Sequence, residues 1–412
     1  MDRLFDPGAI DRQLSDTEFH RCSLSAVAAP TNWSVAGLFA GIGGIELGLQ
    51  RAGMHTELLC EWWEPARAVL EHRFPGVPLE PDVRDLDALP PVDLVSAGFP
   101  CTDLSQAGNM KGITGEASGL VGEVFRLLGD RRVPWVLLEN VRNMLVLDGG
   151  RAMHFLVDEL EALGYQWAYR LVDSRFTGVP QRRQRVIFVA STAGDPREVL
   201  FADEAGEPDQ SYFRDDAFGF YWTEGLRGLG WARDAVPTLK GGSTIGIPSP
   251  PAIWNRRGRA GRRIVTPTIL EAEQMQGFDP HWTVRADSVS ARKGTRWKLV
   301  GNAVTVGVSE WVAGRLGVPG PFSADVRPLS ASAPWPKAAY GTNGKRWSVE
   351  ASMWPVRRPY THLREIVDMG TAAPLSPRAA AGFLERANRG NLRFDARFLD
   401  DIATHIDKLA AA

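Results

Sequence analysis

VDLVSAGFPCTDLSQAG, residues 92–108, is a run of apolar and small residues that stops at Gly98-Phe99-Pro100-Cys101 and continues through Ser105 to Gly108. The pattern predicts a buried strand ending abruptly in a turn. Pro100 fixes its own φ and restricts Phe99, so the backbone that delivers Cys101 is stiff. A thiol held on such a turn, near positive charge or a helix start, ionises and attacks carbon; an isolated cysteine is more often a small buried hydrophobe. The rest of the chain decides between the two.

Upstream, VAGLFAGIGGIELGLQRAG reads as a strand to Phe39, a turn through Gly41, Gly43 and Gly44, and a helix, the opening of a βαβ unit. Glycines there let a ligand approach backbone at a helix N-terminus, as in nicotinamide and flavin enzymes, although the spacing is not GxGxxG. About 20 residues on, TELLCEW ends in Glu61, an acid placed to hold ribose hydroxyls, and Trp62, a flat surface for adenine. LEPDVRDL supplies Asp82-Val83, where a carboxylate can accept from an adenine amino group. Downstream, PWVLLENVRNM is an apolar strand of the parallel-sheet type ending at Glu139-Asn140-Val141. Phe39, Glu61, Asp82, Cys101 and Glu139 thus end successive strands, and in an open parallel sheet such ends share the edge where ligands bind.

Composition sets the bounds. A chain of 412 residues with 44% apolar and 23% charged residues is an ordinary globular chain, long enough for two or three domains. No apolar run reaches membrane-span length, and the charged start fits neither a signal nor a transit peptide, so a cytoplasmic protein is expected. Cys22, Cys60 and Cys101 lack disulfide-framework or zinc spacing, so reduced thiols and no metal are expected. The net charge is −2, but Trp254 to Lys298 carries ten Lys/Arg against four acids, drawing a phosphate backbone, whereas Asp195 to Asp216 carries eight acids against two Arg. DNA contacts are therefore expected from Arg256, Arg257 and Arg259.

GFPC followed by Ser105 and Gly108, the Phe39-Ala40-Gly41 loop, the ENV strand, QRRQR at Gln181 to Arg185, the PTILEAEQMQGF run and the closing GNAV at residues 301–304 resemble, in order, the motifs of the DNA cytosine-5 methyltransferases. The resemblance covers about residues 33–317. It implies an α/β fold, a Rossmann-like, mostly parallel sheet of the AdoMet-methyltransferase type with a smaller, irregular target-recognition domain. It implies S-adenosyl-L-methionine as cofactor, S-adenosyl-L-homocysteine as product and duplex DNA as partner. Cys101 becomes the nucleophile, Glu139 the acid at cytosine N3, and Arg185 the holder of O2 with Arg183 in support. Phe39, Gly41, Gly43, Gly44, Glu61, Trp62, Asp82, Val83, Pro100, Leu120 and Asn302 become cofactor contacts; Ser105, Gln181 and Arg182 become DNA contacts. Ala117 departs from the family, standing where arginine is usual.

The expected organisation is an N-terminal extension over 1–32, a catalytic domain over 33–190 plus 300–317, target recognition over 191–299, and a helical extension over 318–412 opened by a proline- and tryptophan-rich linker to about Tyr360. That extension is expected to be dispensable for the chemistry. The enzyme is expected to act as a monomer on DNA, in modification linked to restriction or phage defence and its proteins. A tRNA cytosine-5 methyltransferase and a catalytically inactive DNA-binding regulator of the same fold are the alternatives.

Overall fold

The computed structural model describes residues 32–99, 119–241 and 249–411. Pro100, Cys101, Ser105 and Ala117, and the N-terminal extension up to residue 31, lie outside the described residues. Seven strands build the catalytic layer: β1 (Ser34–Leu38), β2 (His55–Cys60), β3 (Leu79–Glu80), β4 (Leu94–Ala97), β5 (Trp135–Val141), β6 (Gln166–Asp173) and β7 (Gln184–Ser191). Their order is β6-β7-β5-β4-β1-β2-β3, with β3, β2, β1, β4 and β5 mutually parallel and β7 antiparallel to both neighbours. All four residues of β4 and the first six of β5 are buried, as strands covered on both faces must be.

Chain order reverses between β1 and β4, which opens a crevice at their carboxyl ends. Helix α1 (Gly44–Arg51) leaves that edge after the glycine turn, α2 (Glu64–Arg73) follows β2, and α3 (Leu120–Asp130) and α4 (Arg151–Ala162) flank β5. Because β7 runs antiparallel, its start lies where β5 ends: Arg185 stands opposite Val141, and Ile187 opposite Glu139. Helices α5 (Thr295–Asn302) and α6 (Val306–Gly317) return to this edge, with the Ser309 hydroxyl donating to the Gly44 carbonyl at 3.0 Å.

A second, antiparallel sheet contains β8 (Ala217–Phe220), β9 (Ala232–Arg233), β10 (Ala252–Asn255) and β11 (Ile264–Thr266). The tail carries the expected helices, opened by Ser376 and Asp395, but the stretch expected to be a linker holds strands. Strands β12 (Val326–Pro328), β13 (Ala338–Thr342) and β14 (Lys345–Val349) extend the large sheet beyond β6 to ten strands, and β15 (Ala373–Pro374) pairs with β11. Helices α7 (Pro377–Arg389) and α8 (Ala396–Ala410) then cover the small sheet, with Phe383 and Phe398 fully buried against Phe220, Trp231 and Trp254. The tail is therefore half of the small domain's core. Among the described residues no helix is long and apolar enough to cross a membrane.

Candidate active site

A cavity of about 870 Å³ occupies the crevice between β1 and β4, lined among others by Phe39, Gly41, Glu61, Trp62, Asp82, Val83, Leu120, Glu139, Arg183, Arg185 and Asn302. Local backbone explains its shape. Phe39 follows β1 with φ +53° and Gly41 has φ +57°, so the chain turns sharply off the strand in a conformation that costs a non-glycine residue energy. A Cβ on Gly41 would meet no atom within 4 Å, which leaves this backbone open to a ligand.

Glu61 is fixed by that turn. Its carboxylate accepts the Gly41 and Trp63 N–H groups, each at 2.8 Å, while burial raises its pKa against the opposing pull of these bonds. Trp62 is 69% exposed and presents its ring to the opening. The Asp82 carboxylate is already engaged: Arg84 donates through Nε at 2.9 Å and Nη2 at 2.5 Å and through its backbone N–H at 3.0 Å, and its side chain holds the Asp82 pKa down. Any adenine amino group would have to share this acceptor. Gly43 and Gly44 do not line the cavity. A Cβ would lie 2.4 Å from the Phe74 ring at Gly43 and 2.5 Å from the Val304 carbonyl at Gly44, so these glycines serve chain packing.

The opposite wall carries Glu139 and Arg185. Arg185 Nε lies 2.7 Å from Glu139 Oε1, with both side chains only 10% exposed. A Cβ on Gly98 would be 3.7 Å from Glu139 Oε2, so the chain leaving β4 toward Cys101 passes the carboxylate. Asn140 Nδ2 donates to the Phe99 carbonyl at 3.2 Å and pins that same segment. Arg183 is buried and donates to the Ala303 carbonyl at 2.7 Å and the Gly301 carbonyl at 3.2 Å. Burial pushes its pKa well down, with Arg185 adding to the effect, and its bonds clamp the α5–α6 junction beneath the cavity. Cys60 also lines the cavity, but burial, reinforced by Glu61, pushes its thiol up to about 12, so it stays protonated.

Among the described residues, two of the expected DNA contacts, Gln181 and Arg256, are committed to other partners. Gln181 is fully buried, donating to the Met275 carbonyl at 3.0 Å and accepting the Leu239 N–H at 2.9 Å. Arg256 pairs with Asp215 at 2.7 Å and lies over the Trp254 ring, and Arg257 lies 3.8 Å from Asp216. Arg263 pairs with Asp401 and Arg296 with Glu273. Three of the segment's ten cations thus face acids outside it, and Arg296 faces one within it. Arg259 is exposed, and Arg182 is exposed in a groove of about 420 Å³ that Arg142, Gln184, Arg185, Tyr221 and Thr238 also line.

Sequence reasoning gave Asn140 no role of its own and missed Trp63 and Lys298, whose ammonium sits 4.6 Å from the Trp63 ring centre in the cavity wall. Lys298 stands four residues before Asn302 on α5, hence on the same helix face, and that spacing was the available signal.

A family model for C-5 cytosine-specific DNA methylases matches residues 33–214. The chain is 44% identical over 380 residues to the Type II methyltransferase M2.BsuMI of Bacillus subtilis (strain 168), spanning 89% of this chain and 97% of that protein. It is 37% identical over 168 residues to the Type II methyltransferase M.BanI of Aneurinibacillus aneurinilyticus, spanning 40% of this chain and 39% of that one. Among solved structures, the S. pombe Dnmt2 methyltransferase aligns over 69% of this chain and 98% of its own, with a TM-score of 0.48 and 16% identity. Similarity running almost the full length of M2.BsuMI, on top of the match to residues 33–214, establishes that this chain belongs to the C-5 cytosine-specific DNA methylase family.

Proposed function

We propose that this enzyme methylates carbon 5 of a flipped-out cytosine in a specific duplex DNA sequence, with S-adenosyl-L-methionine as donor and a covalent bond to Cys101, as the modification arm of a restriction system. The observation that carries this reading is the continuity of one cavity, in which Glu61, Trp62 and Asp82 face the same space as the Glu139–Arg185 pair. The name of M2.BsuMI, a Type II methyltransferase, supports the restriction setting.

The cavity's chemistry suits the donor. Gly41 leaves room at the backbone, Glu61 keeps lone pairs for ribose hydroxyls, Trp62 and Phe39 offer ring faces, and Asn302 stands at the far wall for the methionine end. When bound, S-adenosyl-L-methionine supplies an electrophilic methyl group on a sulfonium. The chain's own residues do the remainder. The Cys101 thiolate adds to carbon 6, and the electron pair of the 5,6 double bond becomes available at carbon 5. Glu139 supplies or shares a proton at N3 as charge builds on the ring, and Arg185 orients Glu139 and reaches O2. Carbon 5 takes the methyl group, with S-adenosyl-L-homocysteine as the leaving group; a base then accepts the carbon 5 proton, the 5,6 double bond re-forms, and the carbon 6–sulfur bond breaks to release the thiolate. A stacked base cannot reach Cys101, so flipping is required.

Duplex DNA with 5-fluorocytosine at the target tests this. Fluorine replaces the proton that must leave, so the adduct should persist through denaturing electrophoresis, only with S-adenosyl-L-methionine present. Cys101→Ser should abolish it. An adduct formed equally well by that variant would overturn the assignment.

A further inference from the structure

The tail beyond residue 317 contributes no family motif, yet it grips one loop of the small domain. The β8–β9 connection, residues 221–231, folds back on itself: the Tyr221 N–H donates to the Leu229 carbonyl at 2.7 Å and the Gly225 N–H to the Gly228 carbonyl at 3.0 Å. Its turn rests on the C-terminal end of α7. Arg386 donates through Nη2 to the Trp222 carbonyl at 2.8 Å and through Nε to the Glu224 carbonyl at 3.2 Å. Contact is close enough to require glycine on the tail side, while the turn's own backbone geometry requires it at Gly225. Gly225 has φ +131°, and a Cβ on Gly390 would lie 2.7 Å from the Gly225 carbonyl. A second clamp holds the other flank, where Lys240 pairs with Glu224 at 2.5 Å and sits 3.7 Å from the Tyr221 ring centre.

The two side chains at the tip of this turn are exposed. Leu226 is 50% exposed and Arg227 is exposed, between Gly225 and Gly228. The root of the same loop, Tyr221 and Gly230, lines the groove whose other wall is Arg142, Arg182, Gln184 and Arg185, the last being the partner of Glu139. One wall of the groove carries cations suited to phosphates, and the other leads to a rigid tip bearing one apolar and one guanidinium side chain. Those two groups read base edges: an apolar side chain packs on a thymine methyl, and arginine forks onto guanine O6 and N7.

We propose that the Gly225–Gly228 turn reads a base pair of the target site through Leu226 and Arg227, and that Arg386 of the tail is its positioning residue. The C-terminal helices are then a working half of the recognition unit. This rests on the DNA-methylating activity proposed above and adds to it where specificity resides.

The experiment offers the full-length enzyme a pool of duplexes randomised around a methylatable cytosine and reads the methylated sequences by bisulfite sequencing. Arg227→Ala should relax selection at one base position and raise KM for the preferred DNA about 10-fold, the worth of one lost bidentate contact. Arg386→Ala should relax the same position, with S-adenosyl-L-methionine affinity by calorimetry unchanged and kcat at saturating DNA much less affected than KM; Arg386→Lys should restore part of the selection. Unaltered selection at every position in Arg227→Ala would overturn the base-reading turn. Loss of selection in Arg386→Ala only together with lost cofactor affinity and kcat would reduce that arginine to a fold contact and overturn its assignment. A parent enzyme that methylates no duplex at all would sink the activity itself, and the proposal with it, a result distinct from retained selection.

Discussion

Replacing Glu46 with glutamine should change the pH dependence of stability by an amount the structure sets. Glu46 lies on α1 facing the sheet and is buried; Oε1 accepts from the Ser96 hydroxyl at 2.9 Å, and Oε2 has no hydrogen-bond partner. Burial is the main cause that raises its pKa from 4.5 to about 7. Since the folded value lies above the unfolded one, the contribution of Glu46 to stability is fully present below about pH 4.5 and is lost as pH rises through 7. At 1.36 kcal/mol per unit, this amounts to about 3 kcal/mol between those limits. Glutamine still accepts from Ser96 but cannot ionise, so the loss should vanish. Burying its unpartnered amide costs about 1 to 3 kcal/mol at every pH, so the readout is the slope and not the absolute value. Urea unfolding of both proteins at pH 5 and pH 8, followed by tryptophan fluorescence, should show the variant gaining roughly 2 to 3 kcal/mol on the parent across that interval. A difference independent of pH would show that Glu46 is not held neutral by the fold.

Four further outcomes follow from contacts at the site, in the basic segment and in the tail. Asn140→Ala removes the donor to the Phe99 carbonyl and should slow trapping on fluorinated DNA by about 5-fold for about 1 kcal/mol of lost positioning, with cofactor affinity unchanged in calorimetry; undiminished trapping would mean that delivery of Cys101 does not depend on this bond. Phe398→Ala should cost about 3 to 5 kcal/mol in unfolding, because the ring is fully buried among Phe220, Trp231 and Trp254; removal of everything after residue 317 should abolish site-specific methylation, which a soluble truncation with retained specificity would contradict. Neutralising Arg256, Arg257 and Arg259 together should reduce the salt dependence of DNA binding by about one unit of slope and not three, since the first two already face Asp215 and Asp216; a drop near three would place all of them on phosphates.

The sequence by itself determined the catalytic layer. Strands buried on both faces announce themselves as unbroken apolar runs, and the residues that end them, Phe39, Glu61, Asp82 and Glu139, had to reach one edge once the sheet was parallel, which the cavity bears out. The placement of Arg185 beside Glu139 was legible only as motif order; the geometry comes from β7 running antiparallel, a property of strand pairing that no local pattern records. Other features were decided by tertiary structure alone. Whether a turn glycine faces a ligand or a neighbouring chain depends on what packs against it, so Gly41 and Gly44 look alike in sequence yet differ in role. Charge counted along the chain could not show which cations of the basic segment are paired, because electrostatic partners are chosen by distance in space, and Asp215, Asp216 and Asp401 lie outside it in sequence. The tail's helices were legible in the sequence, but what they pack on was not, for the same reason. Its short strands and amphipathic helices have no core of their own, and only the uncovered edge of β6 and the apolar face of the small sheet, formed by residues more than a hundred positions earlier, give them somewhere to pack.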